Sequence, residues 1–215
     1  MIQPPLVAAA PPRLWIDVVT YDGVDELDVV GPLEVFRRAA KCGASLGVAL
    51  VTRTAQPTVL GAHGIGMLAD AVFEPGRADV LVVPGGGWAA RAATGAWAEA
   101  QQGYWPALLR EASTTTGLLA GVCTGTMLLA EAGLVGTRRA TTHHAALGDL
   151  AASGATALTD RVVDDGDLLT CGGVTSGIDL ALWLVEREFD GGLADQVAAQ
   201  IAHSRTRPSP RLTSR

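Results

Sequence analysis

The sequence has few cysteines, few charges and no long apolar run. Three cysteines are an odd and sparse set that does not suit a disulfide framework, so we expect a reduced, cytoplasmic setting. Only 18% of the residues are charged and the net charge is −6, which argues against a broad nucleic-acid-binding face. No stretch reaches the roughly 18 uncharged apolar residues that span a membrane. We therefore predict neither nucleic acid nor membrane as a partner.

What the chain does contain suits one well-packed domain. Its 215 residues are 48% hydrophobic, and dividing them into two units would leave each with a thin core. We place an α/β domain at 14–202, after a flexible, proline-rich leader at 1–13 and before a flexible, arginine-containing tail at 203–215. The leader lacks the basic start and the uninterrupted apolar stretch of a signal peptide.

Short β-rich runs alternate with longer helical patterns. The patterns predict strands at 14–19, 47–51, 79–84 and 117–120, a hairpin at 57–71, and helices at 32–40, 127–132, 178–188 and 193–202. We expect Pro32 to stand at a helix start and Ser176 with Asp179 to form a capping box. The alternation predicts a single-domain, doubly wound, mostly parallel sheet flanked by helices, flavodoxin-like, with its ligand crevice at the carboxyl ends of the strands.

The most informative segment is Gly121-Val122-Cys123-Thr124-Gly125, which has the form G-x-C-x-G. It lies between a predicted buried strand and a predicted helix, as in a nucleophile elbow with a thiol. The positive end of the following helix would favour the thiolate, which is the reactive form. A small buried hydrophobe is the alternative interpretation of Cys123, whereas Cys42 and Cys171 are expected to be structural.

A glycine run, Gly85-Gly86-Gly87, follows the predicted central strand. We expect the N–H of Gly86 and the N–H of Thr124 to form an oxyanion hole beside Cys123. An ordinary glycine turn is the alternative.

Five stretches together resemble one superfamily. They are residues 22–36 (DGVDELDVVGPLEVF), the strand end 83–86 (VPGG), and residues 121–126 (GVCTGT), 138–143 (RRATTH) and 172–179 (GGVTSGID). The chain resembles the ThiJ/PfpI superfamily, with its class-I glutamine-amidotransferase-like fold, over 14–202. Within it, the chain is most similar to isocyanide hydratases and to the sensor domains of related transcription regulators.

The resemblance assigns roles to individual residues. It places Asp28 opposite the nucleophile, where a carboxyl shielded from water can stay protonated and donate a hydrogen bond to sulfur. The alternative is that Asp28 caps the helix near Pro32. Thr124 follows the nucleophile as in isocyanide hydratases, whereas protease-like members tend to carry His there. His143 either lies near the pocket or has a packing or capping role.

The function implied is hydration of an isocyanide to an N-substituted formamide. Cys123 is the expected nucleophile, Asp28 the acid and Thr124 the residue that holds the site, while Gly85, Gly86 and His143 are expected to bind the substrate. We expect a small-molecule substrate, no metal, no cofactor and a homodimer. The alternatives are thiolate chemistry on other small electrophiles, glyoxalase- or amidase-like, and a non-catalytic ligand- or redox-sensing domain.

Overall fold

The computed structural model describes residues 11–55 and 58–209. The strands are β1 (Leu14–Thr20), β2 (Leu46–Thr52), β3 (Thr58–Leu60), β4 (Gly66–Leu68), β5 (Ala71–Val72), β6 (Val80–Val83), β7 (Leu118–Val122), β8 (Arg139–Ala140), β9 (Thr156–Ala157), β10 (Val162–Asp164) and β11 (Leu168–Cys171). The helices are α1 (Glu26–Lys41), α2 (Ala96–Gln102), α3 (Tyr104–Ala112), α4 (Gly125–Glu131), α5 (Leu147–Ala152), α6 (Ser176–Glu188) and α7 (Gly191–Gln200). None of these described helices is long and apolar enough to cross a membrane.

A central sheet of seven strands organises the fold, in the order β10-β11-β7-β6-β1-β2-β5. All neighbours pair in parallel except β10 and β11. Helices α1, α6 and α7 pack together on one side, and α2 to α5 form the second helical layer. Every residue of β6 and β7 is buried, as expected of strands covered on both faces. The predicted doubly wound, mostly parallel architecture is therefore confirmed.

Helix α1 begins earlier than the sequence suggested. Asp25 is its N-cap and accepts a hydrogen bond from the N–H of Leu27, so Pro32 lies inside the helix and the expected start at Pro32 is wrong. An interior proline removes one helical hydrogen bond. It is accommodated here in a buried position, where its ring lies against Gly177 of the neighbouring helix α6.

The predicted capping box at the start of α6 is also wrong. The N-cap residue is Thr175 and no side chain caps this helix end. Asp179 is buried and accepts hydrogen bonds from the Nε of Arg161 (2.6 Å) and the backbone N–H of Thr206 (2.6 Å) instead. Its carboxylate is thus used to bind the chain that follows the last helix.

That following segment differs from the expected flexible tail over residues 203–209. The Nε2 of His203 lies 3.0 Å from Oδ1 of Asp179, and the hydroxyl of Ser209 donates to Asp160. Arg205 binds Glu186 and Asp195, and its side chain is only 8% exposed. Oppositely charged side chains on α6 and α7 hold these residues. Residues 1–10 and 210–215, and therefore most of the predicted leader and half of the tail, lie outside the described part of the chain.

The burial of Arg205 gives a test of this packing. We expect Arg205→Ala to lower the free energy of unfolding by about 1–3 kcal/mol, because a nearly buried cation is lost and two carboxylates lose their more buried partner. Arg207→Ala is the matched control: it also pairs with Glu186 but is 53% exposed, and should cost at most about 0.5 kcal/mol. Urea denaturation measures both, and equal losses would contradict the described packing.

Candidate active site

The elbow at Cys123 is a strained turn held from two sides. Cys123 follows β7 directly and has φ +53°, a backbone conformation that residues other than glycine rarely adopt. Its N–H donates to the carbonyl of Cys171 (3.2 Å), and its carbonyl accepts from the hydroxyl of Thr142 (2.8 Å). At Gly125 a Cβ would lie 1.8 Å from the carbonyl oxygen of Val83, so only glycine allows the helix to approach this closely. The turn places Cys123 at the carboxyl end of β7, an interior strand of the sheet.

Asp28, in the first turn of α1, lies beside the Cys123 side chain. It is fully buried, and its Oδ2 accepts a hydrogen bond from the N–H of Gly85 at 3.0 Å. Its Oδ1 has no hydrogen-bond partner among the described residues, while the carboxyl lies close enough to the Cys123 thiol for each group to shift the pKa of the other. Because Asp25 caps α1, the alternative in which Asp28 serves as the helix cap does not hold. The structure therefore brings Asp28 and Cys123 together.

Burial controls the protonation of Asp28. Loss of solvation, followed by the nearby charge of Asp25, raises its pKa from 3.8 to about 8, although the N–H of Gly85 and the Cys123 thiol act to lower it. A carboxyl with this pKa keeps its proton at neutral pH. Asp28 can therefore act as a hydrogen-bond donor and as an acid.

The same burial acts on the thiol. It raises the pKa of Cys123 well above the ordinary value, and the charge of Asp28 raises it further, while the backbone N–H groups of Val174 and Thr124 lower it. The expectation that the positive end of the following helix makes Cys123 a thiolate is therefore wrong, because Cys123 is only 5% exposed and burial outweighs the helix end. Cys123 and Asp28 titrate as one pair that shares its last proton. Once the pair is singly ionised, transfer of the remaining proton from sulfur to Asp28 gives the reactive form, a protonated acid beside a thiolate that the amides of Val174 and Thr124 face.

Val174 is the site residue that sequence reasoning missed. Its N–H points at the sulfur of Cys123, and its φ of +23° places it in the strained left-handed region. The two glycines before it, Gly172 and Gly173, are the one sequence signal of an unusual backbone conformation here. The direction in which a backbone N–H points cannot be predicted from a pattern of side chains. His143 packs closely against Gly173 and so supports this loop.

The glycine run has a different role from the one expected. The N–H of Gly86 donates to the hydroxyl of Thr124 (2.9 Å), and the N–H of Gly85 donates to Asp28. The assignment of the Gly86 N–H to an oxyanion hole is thus corrected, since that donor is already used within the protein. Gly85 is required by space: a Cβ there would lie 2.4 Å from Thr124 Oγ1. The amides beside the sulfur are those of Thr124 and Val174.

His143 lies at the edge of this site. Its Nδ1 accepts a hydrogen bond from the N–H of Ala145 (3.2 Å), so it caps the short 3-10 turn His144–Ala146. Partial burial lowers its pKa, and the neighbouring His144 ring, 4.1 Å away between centroids, lowers it further. His143 is therefore neutral at pH 7 and able to hydrogen-bond through Nε2.

A cavity of about 400 Å³ adjoins the loop that carries Val174. Its wall includes Thr142, His144, Arg161, Gly172 and Gly173. Cys123 does not line the cavity, whereas Thr142, Gly172 and Gly173 do. Thr142 also donates a hydrogen bond to the carbonyl of Cys123, so it connects the cavity wall to the nucleophile turn.

One group of side chains near the site has the residue types of a metal ligand set. Ligand atoms of Asp25, Glu26 and His63 lie within 4.8 Å of one another. Glu26 Oε1, however, already accepts the N–H groups of His63 (2.8 Å) and Ile65 (3.2 Å). These contacts fix the β3–β4 hairpin to α1, and we assign the group this structural role.

Comparison with known proteins places this arrangement in context. The DJ-1/PfpI family pattern matches residues 16–187. The isonitrile hydratase of Pseudomonas putida is 33% identical over 202 residues, covering 94% of this chain and 82% of that protein. The HTH-type transcriptional regulator CdhR of Pseudomonas aeruginosa is 32% identical over 189 residues, covering 86% of this chain and 54% of the regulator. A THiJ/PfpI family protein from Pseudomonas syringae has a TM-score of 0.78 at 25% identity, over 93% of this chain and 78% of that one.

The shared proton predicts how Cys123 responds to alkylation. Between pH 6 and 7 we expect its rate with iodoacetamide to rise by nearly tenfold, and the rate should level off above the first ionisation of the pair, near pH 8. Peptide mapping by mass spectrometry separates Cys123 from Cys42 and Cys171. A rate that is already maximal at pH 6 would contradict the account.

Replacing the buried acid should stabilise the fold. The folded-state pKa of Asp28, about 8, exceeds its ordinary 3.8, so the wild-type protein loses stability as pH rises between these values. Asp28→Asn removes this loss, and at pH 8 we expect it to be more stable by about 2–5 kcal/mol.

The pH dependence is the decisive part of this test. In urea denaturation the advantage of Asp28→Asn should shrink as the pH falls toward 4. Glu34→Gln, on the exposed face of the same helix, is the control and should stay within about 0.5 kcal/mol of wild type. Parallel stability curves for wild type and Asp28→Asn would show that the acid is ionised throughout.

Proposed function

The chain belongs to the DJ-1/PfpI family, and from that premise we propose that it hydrates an isocyanide to an N-substituted formamide. The observation that carries the proposal is the buried pair of Cys123 and Asp28, a nucleophile in contact with a carboxyl that holds its proton at neutral pH. Isonitrile is another word for isocyanide, so the similarity to the hydratase of Pseudomonas putida supports the same chemistry. Thr124, as in hydratases of this superfamily, follows the nucleophile.

The first step uses both members of the pair. The terminal carbon of an isocyanide accepts a nucleophile and a proton on the same atom. The Cys123 thiolate forms the C–S bond while Asp28 transfers its proton to that carbon. The products are a thioimidate on Cys123 and an ionised Asp28, so the single negative charge passes from sulfur to carboxylate.

The second step reverses the role of Asp28. Its carboxylate takes a proton from water as the water oxygen adds to the thioimidate carbon, and it then delivers that proton to the nitrogen. Asp28 next accepts the hydroxyl proton while the C=O bond forms and the C–S bond breaks. The formamide leaves, and the pair returns to thiolate and protonated acid.

Backbone amides supply the remaining stabilisation. The N–H groups of Thr124 and Val174 point at the sulfur and favour its negative charge, both before attack and when it leaves. His143, neutral and adjacent to the Val174 loop, is proposed to bind the substrate or its product through Nε2.

A second candidate is a ligand-sensing domain. The similarity to the regulator CdhR supports it, since the matched part covers about half of that regulator. The same buried pair would then bind a small electrophile without turnover. Thiolate chemistry on a glyoxal-type carbonyl is the remaining enzymatic alternative.

We propose that the protein forms a homodimer and acts on a small molecule. Large apolar side chains are exposed on α1, at Leu27 and Val30, and on the adjoining β3–β4 hairpin, at Leu60, Ile65 and Leu68. Burial of such side chains against a second copy would favour association.

Turnover of an alkyl isocyanide tests the proposal directly. Incubation of the protein with cyclohexyl isocyanide should yield the N-substituted formamide. Cys123→Ser and Asp28→Asn should each lower kcat/KM by about 10³-fold or more, because the steps above need both groups. Cys42→Ser, which changes a thiol at the C-terminal end of α1, is the matched control and should keep wild-type turnover.

A parallel incubation with methylglyoxal separates the alternatives. Lactate without any formamide would show glyoxalase-like chemistry. Binding of the isocyanide without turnover of either compound would favour the sensing domain.

A further inference from the structure

Tyr21 is a buried side chain whose polar group the proposed mechanism leaves unused. It follows β1 directly and is only 4% exposed. Its ring lies against Trp105, with centroids 6.3 Å apart, and Trp105 in turn contacts Phe73. This aromatic cluster fixes the ring, so the hydroxyl has one defined position.

That hydroxyl donates a hydrogen bond to the carbonyl of Pro84, at 2.5 Å. The N–H of Gly85 belongs to the same peptide group as this carbonyl, and it donates to Asp28 Oδ2 at 3.0 Å. A donor at the oxygen end of a peptide draws electron density from the nitrogen end, which makes the N–H a stronger donor. The hydroxyl therefore acts on Asp28 through one peptide.

We propose that Tyr21 is a positioning residue that controls the ionisation of the Asp28–Cys123 pair through the Pro84–Gly85 peptide. The proposal rests on the pairing of Asp28 with Cys123 and not on the identity of the substrate. Tyr21 touches neither the thiol nor the carboxyl through a hydrogen bond of its own. Its effect has to pass through the backbone.

Other hydrogen bonds at the end of β6 hold the Pro84–Gly85 peptide in place. The carbonyl of Gly85 accepts the N–H of Asp25 (2.9 Å), and the carbonyl of Gly86 accepts the N–H of Ala96 (2.8 Å). With the Gly86 N–H bound to Thr124, the peptide that joins Tyr21 to Asp28 has little freedom to rotate. A change at one end of this peptide is therefore transmitted to the other end.

Several ionisable groups surround the two residues. Asp25 at the start of α1, Cys123 at the elbow and Cys171 on β11 interact with Asp28. Glu99 on α2, Asp28 and Cys123 face Tyr21, and burial followed by these negative charges raises its pKa far above the ordinary value. Tyr21 thus remains a hydrogen-bond donor at every pH at which the pair titrates.

The alkylation profile of Cys123 tests the proposal without any substrate. In Tyr21→Phe the Gly85 N–H becomes a weaker donor and the anionic pair is less stabilised. We expect the midpoint of the Cys123 profile to move to higher pH by about half to one unit. Circular dichroism and thermal melting confirm that the variant is folded.

Two variants separate this effect from general disturbance. Tyr104→Phe removes the other tyrosine hydroxyl, which belongs to a 56% exposed residue, and should leave the profile unchanged. Trp105→Phe disturbs the same aromatic cluster but keeps the Tyr21 hydroxyl. It should lower the melting temperature and move the midpoint much less than Tyr21→Phe does.

A double variant tests the route. In the Asp28→Asn background the Gly85 N–H no longer faces an ionisable group, so adding Tyr21→Phe should cause no further shift. The proposal is overturned if Tyr21→Phe leaves the midpoint in place, if Trp105→Phe shifts it equally, or if the shift persists without Asp28. None of these results depends on whether isocyanides are the substrate.

Discussion

The site depends on one interaction, the contact between a fully buried carboxyl and a nearly buried thiol. Water would let Asp28 ionise freely, and its charge would then oppose ionisation of Cys123. Burial keeps the proton on Asp28 up to about pH 8 and makes a second negative charge on the pair too costly. The pair can then hold one charge, which the amides of Thr124 and Val174 stabilise when it lies on the sulfur. Nucleophile and acid coexist in the singly ionised pair for this reason, and the proposed hydration uses both in a single step.

The fold maintains this costly contact through its strand ends. Cys123 leaves β7 in a strained conformation that β11 and the segment after β8 secure, while α1 carries Asp28 to the end of β6. The amides of Gly85 and Gly86 bind the side chains of Asp28 and Thr124, so the end of β6 fixes a residue on each side of the pair. The family shares the architecture; the chemistry of this chain follows from which side chains these strand ends present.

The architecture could be predicted from sequence because apolar periodicity reports burial directly. The uninterrupted apolar run of β6 indicated a central strand, and G-x-C-x-G indicated the elbow. Pro32 misled the prediction of α1, since a proline is tolerated inside a helix where its ring packs against Gly177. The charge state of Cys123 was misjudged because the helix end was visible in the sequence, whereas the burial was not. Hydrogen bonds of Gly86 and Val174 depend on backbone direction, which no residue pattern encodes.

The most direct test of the central claim is the titration of Asp28 itself. The side-chain carboxyl can be followed by ¹³C NMR in protein labelled at aspartate, with Asp28→Asn to assign the signal. The account predicts a carboxyl that remains protonated at pH 7 and titrates near pH 8, together with a response at Cys123. A signal that titrates near the ordinary value of about 4 would contradict it, because the acid would then be ionised at neutral pH and unable to donate a proton.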